Sequence, residues 1–320
     1  MRFTGVYLNH GFTVSGSNEY KSPILDKCDI NLEGFYYGNK THEEGESYLE
    51  NEALNGVILK SKKKPNIVIG TDLHNQLFSS TEAIKNSDVP FLGVYSACAG
   101  FIESMILASN FVDHHTFDNA VALTSSSNLA SEKQFRFPVE YGAIRKCTQT
   151  FTLTGAVAAF ISHSPSNIKI ESATIGKVVD VGFKDVNNMG AVMAPSACET
   201  IFEHLKEMNR DASYYDVILT GDLGIYGTEI LKKYIKRKYN IELNNLMDAG
   251  SMLIKTKKCA FPAGGSGPAC IGLALFNEIL KNTRYKKILL VGTGALFSKT
   301  TTNLKKSLSS ISHAISLEVK

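Results

Sequence analysis

The chain has 320 residues, 43% hydrophobic and 20% charged, with a formal net charge of +3. That balance excludes a disordered chain or a coiled-coil rod, and falls far short of the basic excess of a dedicated nucleic-acid binder. A chain of this length buries one large core or two adjoining ones.

In chain order, the N-terminus MRFTGVYLNHGFTVSG has no apolar core of signal-peptide length, because Asn9, His10 and Gly11 interrupt it. Ile67 to Gly70 reads as a short buried strand, and Thr71 to Asn86 as a loop and a helix. Pro90 opens a second buried strand, FLGVYSA. Gly100 to Val112 is helical, with Ile102, Met105 and Ile106 on one face. Ala120 to Thr124 returns as a strand. A turn cluster, Ser164 to Asn167, separates the strands AVAAFIS and IKIESATIG. Strands alternating with helices predict a layered α/β fold with parallel pairing. The longest uncharged stretch, Ala260 to Asn277, opens on Gly and Pro and falls short of the ~20 apolar residues of a membrane span. A cytosolic chain is expected. Its six cysteines form no CxxC pair and should stay reduced, and no cofactor or metal site is expected. Lys62 to Lys64 and the basic run Lys232 to Lys238 read as solvated helix ends.

The order of elements repeats. DVILTGDL, from Asp216, mirrors NIVIGTDL, from Asn66. GSGPACIGLALFNEIL mirrors SACAGFIESMILAS, and KKILLVGTGAL mirrors DNAVALTSSS. Asp72 and Asp222 lie 150 residues apart, whereas Cys98 and Ser266, like Leu123 and Val291, lie 168 apart. The difference of 18 places an insertion around residues 232–255. Two related halves, residues 1–166 and 167–320, are expected to meet around one cleft.

Cys98 stands where a strand gives way to a helix, the edge at which α/β proteins place ligands. The helix start carries free N–H groups and partial positive charge, so a lowered thiol pKa is expected. A buried structural cysteine fits the same position. The repeat brings Asp222, Gly265, Ser266, Gly292 and Gly294 towards Cys98. The glycines fit either backbone contact with a ligand or tight turns.

Two α/β halves with a cysteine heading the central helix of the first resemble the thiolase superfamily. The stretches SEKQFRFPVEYG, ATIGKVVDVGFKDVNNMGAVMAPSA, LTGDLGIYG, FAGGSGPAC and LLVGTGALFS resemble one branch of it, the stage V sporulation protein AD family. So does the opening VYLNHGFTVSGSNEYKSPIL, and the resemblance spans essentially the whole chain.

The resemblance implies a thiolase-like fold of layers αβαβα. It implies a homodimer that binds dipicolinic acid, alone or as its calcium chelate, and helps load it into the developing spore. The partners implied are the other stage V sporulation membrane proteins. The location implied is the cytoplasmic side of the forespore inner membrane, held peripherally. For that flat diacid, Arg136 offers a carboxylate fork; a structural pair with Glu140 is the alternative. Phe137 and Tyr141 offer ring faces, and Glu140 and Asp222 offer oxygens to calcium. Ser127 joins the ligand set, where the family is expected to carry His. Condensing enzymes of the superfamily pair their cysteine with His and Asn or a second His. Here Asp222 stands at the His position and the Gly265–Ser266 segment at the Asn position. His74, His163, His204 and His313 fall in no such motif. A non-catalytic binder is therefore expected. An acyltransferase using Cys98 is the alternative, and a scaffold with a vestigial pocket a third.

Overall fold

Apolar runs become strands here because side chains covered on both faces need no polar alternation. The computed structural model describes residues 1–17, 22–135, 145–254 and 262–320. In chain order its strands are β1 (Tyr7–Ser15), β2 (Ile30–Asn31), β3 (Val68–Thr71), β4 (Phe91–Gly93), β5 (Asn119–Ser126), β6 (Phe151–Thr152) and β7 (Gly155–Ser162). They continue as β8 (Ile168–Thr174), β9 (Val217–Thr220), β10 (Leu246–Asp248), β11 (Gly265–Ser266), β12 (Lys287–Leu296) and β13 (Ser309–Val319). The helices are α1 (His42–Ser61), α2 (Phe78–Ile84), α3 (Gly100–Asp113), α4 (Asn128–Phe135), α5 (Met189–Met208), α6 (Gly224–Tyr239), α7 (Ala249–Leu253), α8 (Ala269–Ala274) and α9 (Lys299–Asn303).

The main sheet runs β4-β3-β5-β7-β1-β8-β13-β12-β9-β10, with β2 beside β1. Read outward from the β1–β8 joint, β1, β7, β5, β3, β4 on one arm match β8, β13, β12, β9, β10 on the other in chain rank. The joint is thin. Tyr7 pairs with Lys169, and the Phe3 and Ile170 amides donate to Glu171 O and Val6 O. The expected parallel pairing holds for β3 with β4 and β5, and for β9 with β10 and β12. The ladders made by β7 and β13 are antiparallel, so the sheet is mixed.

Helix α3 is apolar almost all round, and Phe101, Ile102, Met105 and Ile106 are buried. Such a helix needs cover on every side, and it packs against β3, β5 and β7 of one arm and β12 and β13 of the other. It fills the middle layer with α8 beside it. On the outer faces, α1 backed by α2 covers the first arm and α5 backed by α6 the second. These are the five layers αβαβα. Among the described residues, no helix is long and apolar enough to cross a membrane.

Three sequence expectations change. Strand β1 was not anticipated, because Asn9, His10 and Gly11 break its apolar pattern; its ladder to β7 shifts register between Leu8 and His10. FLGVYSA is not a buried strand. Only Phe91–Gly93 pair, at the sheet edge, and Leu92 is exposed. The stretch read as an insertion holds the end of α6, β10 and α7.

Because α3 bears the packing of both arms, Phe101→Ala should lower unfolding free energy by about 3–5 kcal/mol. Urea denaturation of the variant against the parent chain measures this.

Candidate functional site around Cys98

After β4 the chain turns back towards the sheet. Ala97 adopts φ +50°, a left-handed conformation that costs a residue with a Cβ about 1–2 kcal/mol. The Ser96 carbonyl accepts the Ala99 N–H at 3.1 Å, and the Ala97 carbonyl accepts Gly100 N–H at 3.0 Å. Strand β12 holds the turn from the other arm. A Cβ on Gly294 would sit 2.2 Å from Ser96 O, and one on Gly292 would sit 2.9 Å from Ile102. The close approach of the arms therefore accounts for these glycines.

Asp222 follows β9 and is fully buried. Its Oδ2 accepts Ser266 Oγ–H at 2.8 Å and Gly267 N–H at 3.0 Å. Its Oδ1 accepts Thr293 Oγ1–H at 2.7 Å. Cys98 Sγ lies 4.0 Å from Ser266 Oγ, the hydroxyl that donates to Asp222. Burial pushes the Cys98 thiol well above its ordinary pKa, and the Asp222 charge pushes it further. The expected lowering is overturned: a buried carboxylate at the sulfur outweighs the helix start, so the resting form is the thiol. Burial raises Asp222 as well, against the pull of its donors.

A second carboxylate, Asp248, sets the turn that carries Asp222. It accepts Thr220 Oγ1–H at 2.9 Å, Leu223 N–H at 2.8 Å and Gly224 N–H at 3.0 Å. It also caps α7 through Ser251 N–H at 3.0 Å, and burial pushes it up to about 6. Sequence reasoning missed it, although an Asp directly before a helix is a legible cap signal.

The matching loop of the first arm is fixed by Asp72 and His74. Asp72 accepts His74 N–H at 2.7 Å and Ser80 N–H at 2.8 Å. His74 Nε2 lies 3.2 Å from Glu46 Oε2, both buried. Burial disfavours the imidazolium, but Glu46, Asp72 and Glu43 outweigh it and raise His74 to about 9.

Leu73 leads from this loop to a cavity over Cys98, about 30 Å³ in volume, room for about two water molecules. Tyr95, Glu132, Met189 and Ser266 also line it. Phe135 and Phe297 line it as well, ring centroids 5.3 Å apart. Glu132 accepts Arg145 Nη1–H at 3.4 Å. No histidine lines the cavity among the described residues.

Of the residues singled out in the sequence, Cys98 and Ser266 line the cavity and Asp222 lies behind them. Gly265 pairs with Phe151 and packs on Leu153, and Gly294 is taken up by Ser96. Ser127 does not join them. It lies beyond the end of β5 and lines a separate cavity with Tyr37 and Asn128. Arg136, Phe137, Glu140 and Tyr141 lie outside the described residues. His313 accepts Gly176 N–H at 3.2 Å, away from the cavity lining. Phe135, Phe297, Met189, Glu132 and Thr293 are not singled out by the sequence reading, although each lies within a stretch that carries the family resemblance, because such a stretch does not say which of its side chains turn to the site.

Two matched arms around a central helix headed by a cysteine define a thiolase-like protein. A variant of Xanthomonas campestris OleA shares this fold with TM-score 0.62 and 15% identity, each chain covered to 99%. So does 3-oxoacyl-[acyl-carrier-protein] synthase III from Aquifex aeolicus, with TM-score 0.55 and 14% identity, over 99% of this chain and 98% of that one. The stage V sporulation protein AD (SpoVAD) family matches residues 4–318. Stage V sporulation protein AD of Bacillus subtilis (strain 168) is 35% identical over 319 residues, 98% of this chain and 94% of that protein. The chain belongs to this family of sporulation proteins.

Two measurements test the electrostatics. Iodoacetamide should label exposed Cys147 well before Cys98, and Asp222→Asn should speed labelling of Cys98 by removing the charge that holds its proton; peptide mass spectrometry reads both. His74 contributes stability in full below its unfolded pKa of 6.5, and that contribution disappears as pH rises through about 9. Thermal melts should therefore show a midpoint falling across that window, and His74→Gln should flatten the fall.

Proposed function

We propose that the Cys98 cavity is a binding site for dipicolinate, alone or as its calcium chelate, serving its uptake into the developing spore, and that the protein is not a catalyst. The observation that carries this is the surroundings of the thiol: Cys98 faces Ser266 and, behind it, the buried carboxylate of Asp222, where a condensing enzyme needs an imidazole base. A thiol held protonated is a poor nucleophile.

Arg145 supports a carboxylate ligand. Its guanidinium lies against Glu132 at the cavity margin, with a side chain 29% exposed, so a ligand carboxylate can take the place of Glu132 on the fork. The rings of Phe135 and Phe297 suit a flat pyridine. The cavity admits the ligand only when those rings part. Residues 136–144 follow Phe135 directly, and Arg136, Glu140 and Tyr141 remain part of the proposed ligand set. In this reading calcium arrives with the diacid, with Glu140 and Asp222 offering it oxygens. The proposed setting is the cytoplasmic side of the forespore inner membrane, with other stage V sporulation membrane proteins as partners. A homodimer fits the free outer edge of β4, where Phe78, Leu92 and Tyr95 are exposed.

Acyl transfer through Cys98 is the second reading, favoured by the cysteine at the head of α3 in a fold shared with a 3-oxoacyl synthase. Calorimetry with dipicolinate, with and without calcium, should give a saturable heat, and Arg145→Ala should weaken binding about ten-fold or more. No heat at millimolar ligand sinks the proposal. An acyl adduct on Cys98 in intact-mass spectra after incubation with acyl-CoA would move the balance to the second reading.

A further inference from the structure

Two stretches outside the cavity meet at its rim. Residues 175–186 run into Met189, and residues 297–308 begin at Phe297, both of which line the cavity. The stretches are fastened together. Val179 and Ser310 exchange backbone hydrogen bonds of 2.8 Å, and Leu308 N–H donates to Phe183 O at 2.7 Å. Ser307 Oγ–H donates to Asp180 Oδ2 at 2.6 Å.

What this fastened backbone turns to solvent is apolar. Ile175, Val178, Val181 and Leu304 are 60, 60, 50 and 63% exposed. A single exposed aliphatic side chain is ordinary, whereas four on two paired segments mark a contact surface. Lys177, Lys184, Lys299, Lys305 and Lys306 are interspersed with them, all exposed, and none has a carboxylate partner among the described residues. Five lysines against Asp180 and Asp185 leave these two short stretches at +3, the formal charge of the entire chain. Both aspartates are engaged, Asp180 by Ser307 and Asp185 by Lys146 at 3.3 Å. On the α5 side the surface is bounded by Glu199, Glu203 and Glu207, of which Glu199 is neutralised by Lys238 at 2.6 Å.

We infer that this rim docks onto an anionic lipid bilayer. The four aliphatic side chains enter the boundary between headgroups and acyl chains, and the lysines lie among the headgroup phosphates. That is the recipe of an interfacial membrane contact. The composition argues against a protein partner, because neither stretch contains Trp, Tyr or Arg, the residues that anchor protein interfaces, while lysine is depleted in them. Docking this way lays the mouth of the Cys98 cavity against the membrane. The inference stands independently of the ligand, since lipid binding is measured without it.

Co-flotation of the full chain with vesicles tests this. The protein should float with mixed phosphatidylglycerol–phosphatidylcholine vesicles, stay behind with phosphatidylcholine alone, and bind more weakly in about 0.5 M salt. Lys305→Gln with Lys306→Gln should weaken binding about 25-fold, and Val178→Ser with Val181→Ser should also weaken it, both with unchanged melting curves. Lys233→Gln with Arg237→Gln on α6 should leave binding as it was. Equal flotation with both vesicle types, none with the anionic ones, or equal loss from the α6 pair overturns the inference. So does a change from dimer to monomer in the valine variant on size exclusion, which would assign the surface to a second copy of the chain.

Discussion

Asp222 brings a carboxylate into the middle of the molecule, and the arrangement around Cys98 follows from satisfying it. Such a group is tolerated only when donors surround it. Here three donors surround it: Ser266 in β11, Gly267 directly after it, and Thr293 on β12. All three belong to the second arm, and Cys98 of the first arm meets them at Ser266, with Sγ 4.0 Å from Oγ. The arms therefore meet at this group where α3 begins, beside the short β6–β11 ladder, while the sheet joint to β8 is made by Tyr7 and by backbone bonds of Met1, Phe3 and Val6. Removal of a donor would leave part of a buried carboxylate unpaired, which costs more than the hydrogen bond itself contributes.

The same arrangement explains why the thiol differs from that of a condensing enzyme. An imidazole partner that accepts the sulfur proton stabilises thiolate; burial, and beside it a negatively charged carboxylate already occupied by several donors, keep the sulfur neutral. The strained Ala97 turn and the glycines of β12 bring the sulfur to the usual place in this fold, and the neighbour at that place sets what it does. Fold and chemistry therefore separate here, as they do across many shared folds.

Much of the architecture was legible because it depends on local pattern. The apolar runs of β3, β5, β7, β9 and β12 and the periodicity of α3 stand out in the sequence, and the mirrored motifs pointed to Cys98, Asp222 and Ser266 together. Features set by neighbours across space were not legible. The polar interruption in β1 disguised a strand whose irregular register absorbs it. Ser127, included through the family resemblance, lies just past β5 and lines a different cavity from Cys98, a placement that depends on how the chain turns after the strand and not on local pattern. The direction of the Cys98 pKa went astray because the helix start is a local cue, whereas the carboxylate that overrides it comes from the other arm.

The protonated state of Cys98 has a consequence for endurance. Peroxides and other electrophiles attack the thiolate, and the higher oxidation states of cysteine are not readily repaired. A sulfur enclosed behind Phe135 and Phe297 and kept as S–H by Asp222 offers oxidants almost nothing to react with. A pocket floored by such a sulfur keeps its shape and chemistry through long exposure to oxidants without calling on repair.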